Sequence, residues 1–203
     1  MKKILFFTLS LLFFNISSSE SHLIEVKKII PNVVLDIKYA TEDNFTKKKV
    51  YPSARCYLVE PAAKALKAAS DALSAKGYRV KIWDGYRPLE VQRKFWSLVP
   101  DERYVADPKK GSRHNRGCAV DVTLVFEKDG KELDMGTEFD DFSEKAHRDY
   151  KDLKPNVVAN RKLLEDSMQE HGFEGLPTEW WHFDYKGWEK YPLLDIAIDE
   201  VGK

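Results

Sequence analysis

The sequence predicts an α+β domain. Segments with a period of two, which read as strands, lie among segments with the 3.6-residue period of amphipathic helices. The two kinds do not alternate in the regular βαβ order of a doubly wound sheet. The chain has 203 residues, 43% of them hydrophobic and 12% aromatic, enough for one packed core and too apolar for global disorder.

Residues 1–19 read as a signal peptide, and 20–203 as the domain. Lys2 and Lys3 precede an apolar run from Ile4 to Phe14, and small and polar residues follow to Ser19. That is the pattern of a secretory leader. An uncleaved anchor is the alternative, but the run has 11 residues, well short of the ~20 that span a bilayer. The expectation is therefore an exported, periplasmic protein with no stable membrane anchor after processing.

Within the domain, Val33, Leu35, Ile37 and Tyr39 alternate with Val34, Asp36 and Lys38 and predict a strand. Pro61–Lys76 is rich in Ala and Leu, opens on proline and stops at Gly77, which predicts a helix. Tyr78, Val80 and Ile82 predict the next strand. Pro88 opens a second helix through Leu98. Cys118–Phe126 is β-branched and apolar, hence a strand. Asn156–His171 predicts a third helix ended by Gly172, and Trp180–Tyr185 a last strand. Lys+Arg and Asp+Glu both number 33, so a basic nucleic-acid binder is not expected. Lys47–Lys49 reads as a solvated loop.

Two constellations suggest chemistry. His114 lies in a polar turn just before the Cys118–Phe126 strand, and Asp121 lies inside that strand. By alternation Ala119, Asp121, Thr123 and Val125 share one face, and Val120, Val122, Leu124 and Phe126 share the core face. A carboxylate in such a strand is costly unless paired or metal-bound; an Asp capping a neighbouring loop is the competing reading. The second constellation is Glu179-Trp180-Trp181-His182. A catalytic zinc needs three protein ligands, an open position and a carboxylate base. His114, Asp121 and His182 offer three nitrogen and oxygen ligands, and Glu179 offers the base.

A rival pattern, Glu144-Lys145-Ala146-His147, is a second Glu-x-x-His of the kind that builds di-iron bundles, but the chain lacks four matching helices. His147 is expected on an exposed turn. Trp83-Asp84-Gly85-Tyr86-Arg87-Pro88 joins a strand to a helix, where Arg87 could meet a developing oxyanion or merely pair with Asp84. Neither a Gly-x-Ser-x-Gly elbow nor a Ser-x-x-Lys is present.

These stretches together resemble the zinc D-alanyl-D-alanine dipeptidases, VanX-like enzymes of the metallo DD-peptidase group. The matching pieces are Asp43–Thr46, Trp83–Pro88, Ser112–Leu124, Met135–Asp140, Asn160-Arg161 and Glu179–Phe183. The resemblance implies one zinc ion per chain on His114, Asp121 and His182, with Glu179 as general base and Arg87 as transition-state stabiliser. It implies a small dipeptide substrate whose ammonium meets Asp140 and whose carboxylate lies near Ser112. Neither of these last two residues stands out without it. The implied fold is a single small domain with a central antiparallel sheet and flanking helices, of the DD-peptidase/hedgehog-like kind. A D,D- or L,D-carboxypeptidase acting on peptidoglycan stem peptides is the alternative activity. An export signal fits salvage of wall-derived dipeptide better than destruction of a cytoplasmic precursor.

Cys118 lies inside the metal-loop motif, and Cys56 is its one possible partner. An oxidising compartment permits a disulfide between them, and two separately buried thiols are the alternative.

Overall fold

The computed structural model describes residues 23–203. The leader expected over 1–19 lies outside them. No helix among the described residues is long and apolar enough to cross a membrane.

The chain opens with β1 (Leu23–Glu25), a short helix α1 (Val26–Ile29) and β2 (Val34–Leu35). It continues through β3 (Tyr57–Val59), α2 (Glu60–Ser74), β4 (Tyr78–Asp84) and α3 (Leu89–Leu98). The second half holds β5 (Ala119–Phe126), α4 (Pro155–Glu170), β6 (Phe173–Gly175) and β7 (His182–Tyr185). The three long helices begin where proline pre-sets the backbone dihedral, at Pro61, Pro88 and Pro155.

The main sheet has five strands in the order β2-β4-β5-β7-β6. The β4-β5, β5-β7 and β7-β6 ladders are antiparallel, as expected. The edge strand β2 runs parallel to β4, so the sheet is mixed at that edge. The crossover through β3 and α2 returns the chain in its original direction, and such a crossover makes a parallel pair. β1 and β3 form a separate two-stranded ribbon.

The strand expected over 33–39 is reduced to two residues, because the chain turns into a 3₁₀ turn at Lys38–Ala40. Its alternation is still visible in burial: Val33, Ile37 and Tyr39 are core residues. A polar solvent face on β5 does not form. All but its last residue are buried, because β5 is the central strand and is covered on both sides. Its apolar side, with Val120, Val122 and Leu124, joins the core that contains Leu66 and Leu73 of α2 and Leu164 and Met168 of α4.

Candidate metal centre

The site is built on one row of the sheet. Asp84 of β4 pairs with Asp121 of β5, and Asp121 pairs with His182 of β7. Residues directly opposite one another share a face, so three polar side chains converge from three adjacent strands. Regular pairing would place Trp83 opposite Asp121, since Ile82 pairs with Val122. A bulge between Ile82 and Asp84 moves Asp84 into the row instead. Bulges commonly re-aim a side chain beside a functional site.

His114 reaches the row from the turn before β5. His114–Arg116 forms a 3₁₀ turn, and Gly117 with φ of 66° reverses the chain into the strand. Only glycine takes that conformation without cost. His114 is 2% exposed, Asp121 3% and His182 6%. His114 Nε2 lies 3.2 Å from His182 Nδ1 and 3.4 Å from Asp121 Oδ1. His182 Nδ1 lies 3.1 Å from Asp121 Oδ1. These three ligand atoms all fall within 4.8 Å of one another.

The outer nitrogens fix what the inner ones can do. His114 Nδ1 is 2.8 Å from the Gly85 carbonyl, which only accepts, so Nδ1 carries the hydrogen and Nε2 the lone pair. His182 Nε2 is 2.9 Å from Asp184 Oδ1, which leaves Nδ1 to face inward. Two ring nitrogens and a carboxylate oxygen therefore converge on one point, and a positive charge must lie among them. In the metal-free protein a proton serves. Burial opposes the charged imidazole of His182, but Asp184 and Asp121 outweigh it and push its pKa up to about 10. The same contacts, with His114, hold Asp121 well below the usual carboxylate range in spite of burial. A divalent cation fits the donor set, since neutral imidazoles with outer hydrogen bonds and a carboxylate are a zinc ligand set.

Glu179 sits in the turn before β7, its Oε2 3.9 Å from His182 Nδ1. Burial first, then Asp121, raises its pKa to about 7 against the opposing pull of His182 and Arg87. The expected strand over 180–185 begins only at His182. Trp180 and Trp181 stay in the turn, both 1% exposed.

Arg87 does pair with Asp84, and the acid is fully buried. Its Nε and Nη2 donate to Asp84 Oδ2 at 3.1 and 2.8 Å, and Nη1 donates to Gln92 Oε1 at 2.9 Å. A guanidinium has five N–H groups, so two remain for the cavity that Arg87 lines. Tyr51 and the Gly85 amide also donate to Asp84.

Asp140 and Ser112 line the same cavity as the three convergent residues and Glu179. Asp140 has φ of 58°, a left-handed conformation that costs a non-glycine residue about 1 kcal/mol. It accepts from Tyr39 Oη at 3.1 Å and from the Phe45 amide at 3.4 Å. No cation pairs with it among the described residues. Burial, then Asp121 and Glu179, lifts its pKa well above the ordinary value. Ser112 Oγ accepts the His114 amide at 3.2 Å. The cavity measures about 120 Å³, against roughly 300–1,000 Å³ for sites that take drug-sized ligands.

One open alternative is decided and one expectation is corrected. Cys56 and Cys118 are separate buried thiols, not a disulfide. Cys118 Sγ points to the Arg116 carbonyl at 3.4 Å, while Cys56 Sγ packs against Gly85. His147 is half-buried rather than exposed, because Trp180 and Pro177 hydrogen-bond its chain segment into the fold. Its ring stands outside the convergent cluster. Asp184 and Gln92 escaped sequence reading. Asp184 follows His182 by two residues on the same strand face, a spacing that carries a usable signal; Gln92 carries none.

The family described as D-Ala-D-Ala dipeptidase, peptidase M15, matches residues 19–195. The chain is 39% identical over 177 residues to a D-alanyl-D-alanine dipeptidase of Escherichia coli (strain K12), covering 87% of this chain and 91% of that protein. It is 33% identical over 185 residues to a D-alanyl-D-alanine dipeptidase of Enterococcus faecium, covering 81% and 91%. Among solved structures, it aligns with the LD-carboxypeptidase LdcB at a TM-score of 0.47 and 21% identity, over 90% of this chain and 79% of that chain.

Proposed function

The chain belongs to the peptidase M15 family of D-Ala-D-Ala dipeptidases, and on that premise we propose that it hydrolyses D-Ala-D-Ala to two D-alanines with one zinc ion. The observation that carries the reading is the convergence of His114 Nε2, His182 Nδ1 and Asp121 Oδ1, with both outer ring nitrogens committed elsewhere. His114, Asp121 and His182 would hold the ion. When bound, zinc supplies a Lewis acid for the scissile carbonyl and a water acidic enough to attack near neutral pH.

The chain's own residues do the rest. Glu179 takes the proton of the attacking water and returns it to the leaving amine. The two free N–H groups of Arg87 meet the oxyanion that develops on the scissile carbonyl, and Asp84 and Gln92 fix their direction. Asp140 receives the substrate ammonium, which supplies the cation its half-buried carboxyl lacks. Ser112 lies toward the substrate carboxylate. The small cavity favours a dipeptide over a longer chain. The leader-like residues 1–19 support export to the periplasm, where the task is salvage of D-alanine from wall-derived dipeptide.

The test is D-alanine release from D-Ala-D-Ala by the purified mature protein, with and without a zinc chelator. Chelator-sensitive release is expected. Glu179→Ala should keep zinc and lose most activity, whereas His182→Ala should lose zinc. A folded, zinc-loaded protein that leaves the dipeptide intact but trims a stem pentapeptide overturns the reading in favour of a carboxypeptidase. Active enzyme found in the cytosol with its leader uncleaved would overturn export.

A further inference from the structure

We propose that Arg148 is a positioning residue for this site: its guanidinium holds the Leu176–His182 turn closed and so sets Glu179 against the His114, Asp121 and His182 cluster. The inference rests on the roles proposed above for Glu179 and His182. The turn leaves β6 after Gly175 and re-enters the sheet at His182. Its ends meet where the Leu176 amide donates to the His182 carbonyl at 3.2 Å. Arg148 spans that closure. Its Nε donates to the Leu176 carbonyl at 2.9 Å and its Nη2 to the His182 carbonyl at 2.8 Å. Its own amide donates to the Pro177 carbonyl at 2.9 Å, and the Trp180 amide donates to the Ala146 carbonyl at 3.0 Å. Both ends of the turn and its outgoing limb are thus tied to one short segment, with Glu179 between the ties. The guanidinium also lies 4.4 Å from the centre of the Phe183 ring, and Nη1 is 3.6 Å from Glu165 of α4. Arg148 does not line the cavity, so it acts through the turn.

Gly175 gives an independent sign of this arrangement. Its φ lies outside the left-handed region, so the backbone does not demand glycine. A Cβ there would meet Arg148 Cζ at 2.2 Å and Nε at 2.4 Å. Gly175 ends β6, and its missing Cβ gives the guanidinium its passage. A lysine ammonium is a single point charge and does not reproduce a planar fork on two carbonyls.

Arg148→Lys removes the fork and keeps the charge. Gly175→Ala keeps the arginine and displaces it. Both are made in the full mature chain, and kcat and KM on D-Ala-D-Ala are measured at saturating zinc, with zinc affinity by chelator competition. Each variant is expected to lower kcat and zinc affinity by about 10–100-fold, the usual cost of losing an outer-shell support, with KM little changed. The same substitutions are then placed in a Glu179→Gln background. There the kcat loss should nearly vanish, because no base is left to misplace. Wild-type kcat and zinc affinity in folded Arg148→Lys would overturn the proposal, as would kcat losses that multiply in the Glu179→Gln background. Wild-type kcat in Glu179→Gln alone would instead sink the base assignment, leaving the zinc-affinity arm to judge Arg148. Should Gly175→Ala not fold, Arg148→Lys carries the test.

Discussion

Glu179→Gln is expected to stabilise the metal-free protein while disabling the zinc enzyme. Burial raises the Glu179 carboxyl from 4.5 to about 7. The unfolded chain therefore ionises this group first. Stability falls as pH rises from 4.5 to about 7, and the full penalty is present above 7. The gap corresponds to roughly 3 kcal/mol. Glutamine has the same shape and no charge, and among the described residues no side chain donates a hydrogen bond to Glu179 that it would forfeit. At pH 8 the substitution should remove most of the penalty. In a chain of this size 1 kcal/mol moves Tm by about 2–4 °C, so the gain is roughly 6–12 °C. Near pH 4.5 the two proteins should melt together. With zinc, loss of a general base costs about 10²–10⁴ in kcat. The assay pairs melts of chelator-stripped proteins at the two pH values with zinc-saturated kinetics. Equal melting at pH 8, or a gain undiminished at pH 4.5, would refute the burial argument. Undiminished kcat would refute the base.

Arg87→Lys keeps a charge beside Asp84 but loses the fork shared with Gln92; zinc-saturated kcat should fall about 10²–10³-fold, and an unchanged kcat would remove Arg87 from the chemistry. Asp140→Asn should raise KM for D-Ala-D-Ala by about 30-fold or more, since losing one partner of a buried charge pair costs about 2–5 kcal/mol. An N-acetylated dipeptide, which has no ammonium, should be equally poor on both proteins. The zinc-induced rise in Tm should widen from pH 6 to pH 8. The raised His182 pKa stabilises the metal-free fold fully below 6.5 and loses that contribution as pH climbs through about 10, while zinc binding displaces the same proton. A Tm rise that shrinks with pH would contradict this ligand set. A thiol reagent should find both cysteines in denaturant and neither in the native protein; one unreactive pair in denaturant would restore the disulfide.

The parts of the fold with strong local signals were legible. The three long helices start at prolines and end near their predicted stops. β5 was visible from its β-branched composition, but not that both faces are buried, because that depends on which elements cover it. β1, β3 and β6 have three residues each, too short for any period to show. For the site, Asp121 was readable because a carboxylate among valines must be answered by something. His114 and His182 were readable as its partners in ligand chemistry. Asp140 was not, since its signal is a left-handed dihedral and a missing cation, and both are tertiary facts. The bulge that carries Asp84 into the Asp121 row leaves no trace in Trp83-Asp84-Gly85 either.

The charges of the site add a further constraint on what it binds. Asp84 and Arg87 are buried together and cancel. Around the cavity, the exposed Glu102 pairs with Lys110, Arg103 with Asp101, and Arg113 lies by Asp184; Asp121, Asp140 and Glu179 remain, three carboxyl groups facing the inner end of one small cavity. Burial and their mutual repulsion favour protons on Glu179 and Asp140, and the charges of Asp184 and Asp121 favour one on His182, so all three are raised. Three ionised carboxylates there require about three positive charges, because buried charge is tolerated only when paired. One divalent cation among His114, Asp121 and His182 and one ammonium at Asp140 supply that number. A neutral or purely anionic ligand would leave Asp140 unanswered. An ammonium without the divalent ion would leave Asp121 and Glu179 dependent on protons that the mechanism needs elsewhere. Occupancy by metal and by substrate should therefore reinforce one another, since each relieves a carboxylate that raises the pKa of its neighbours.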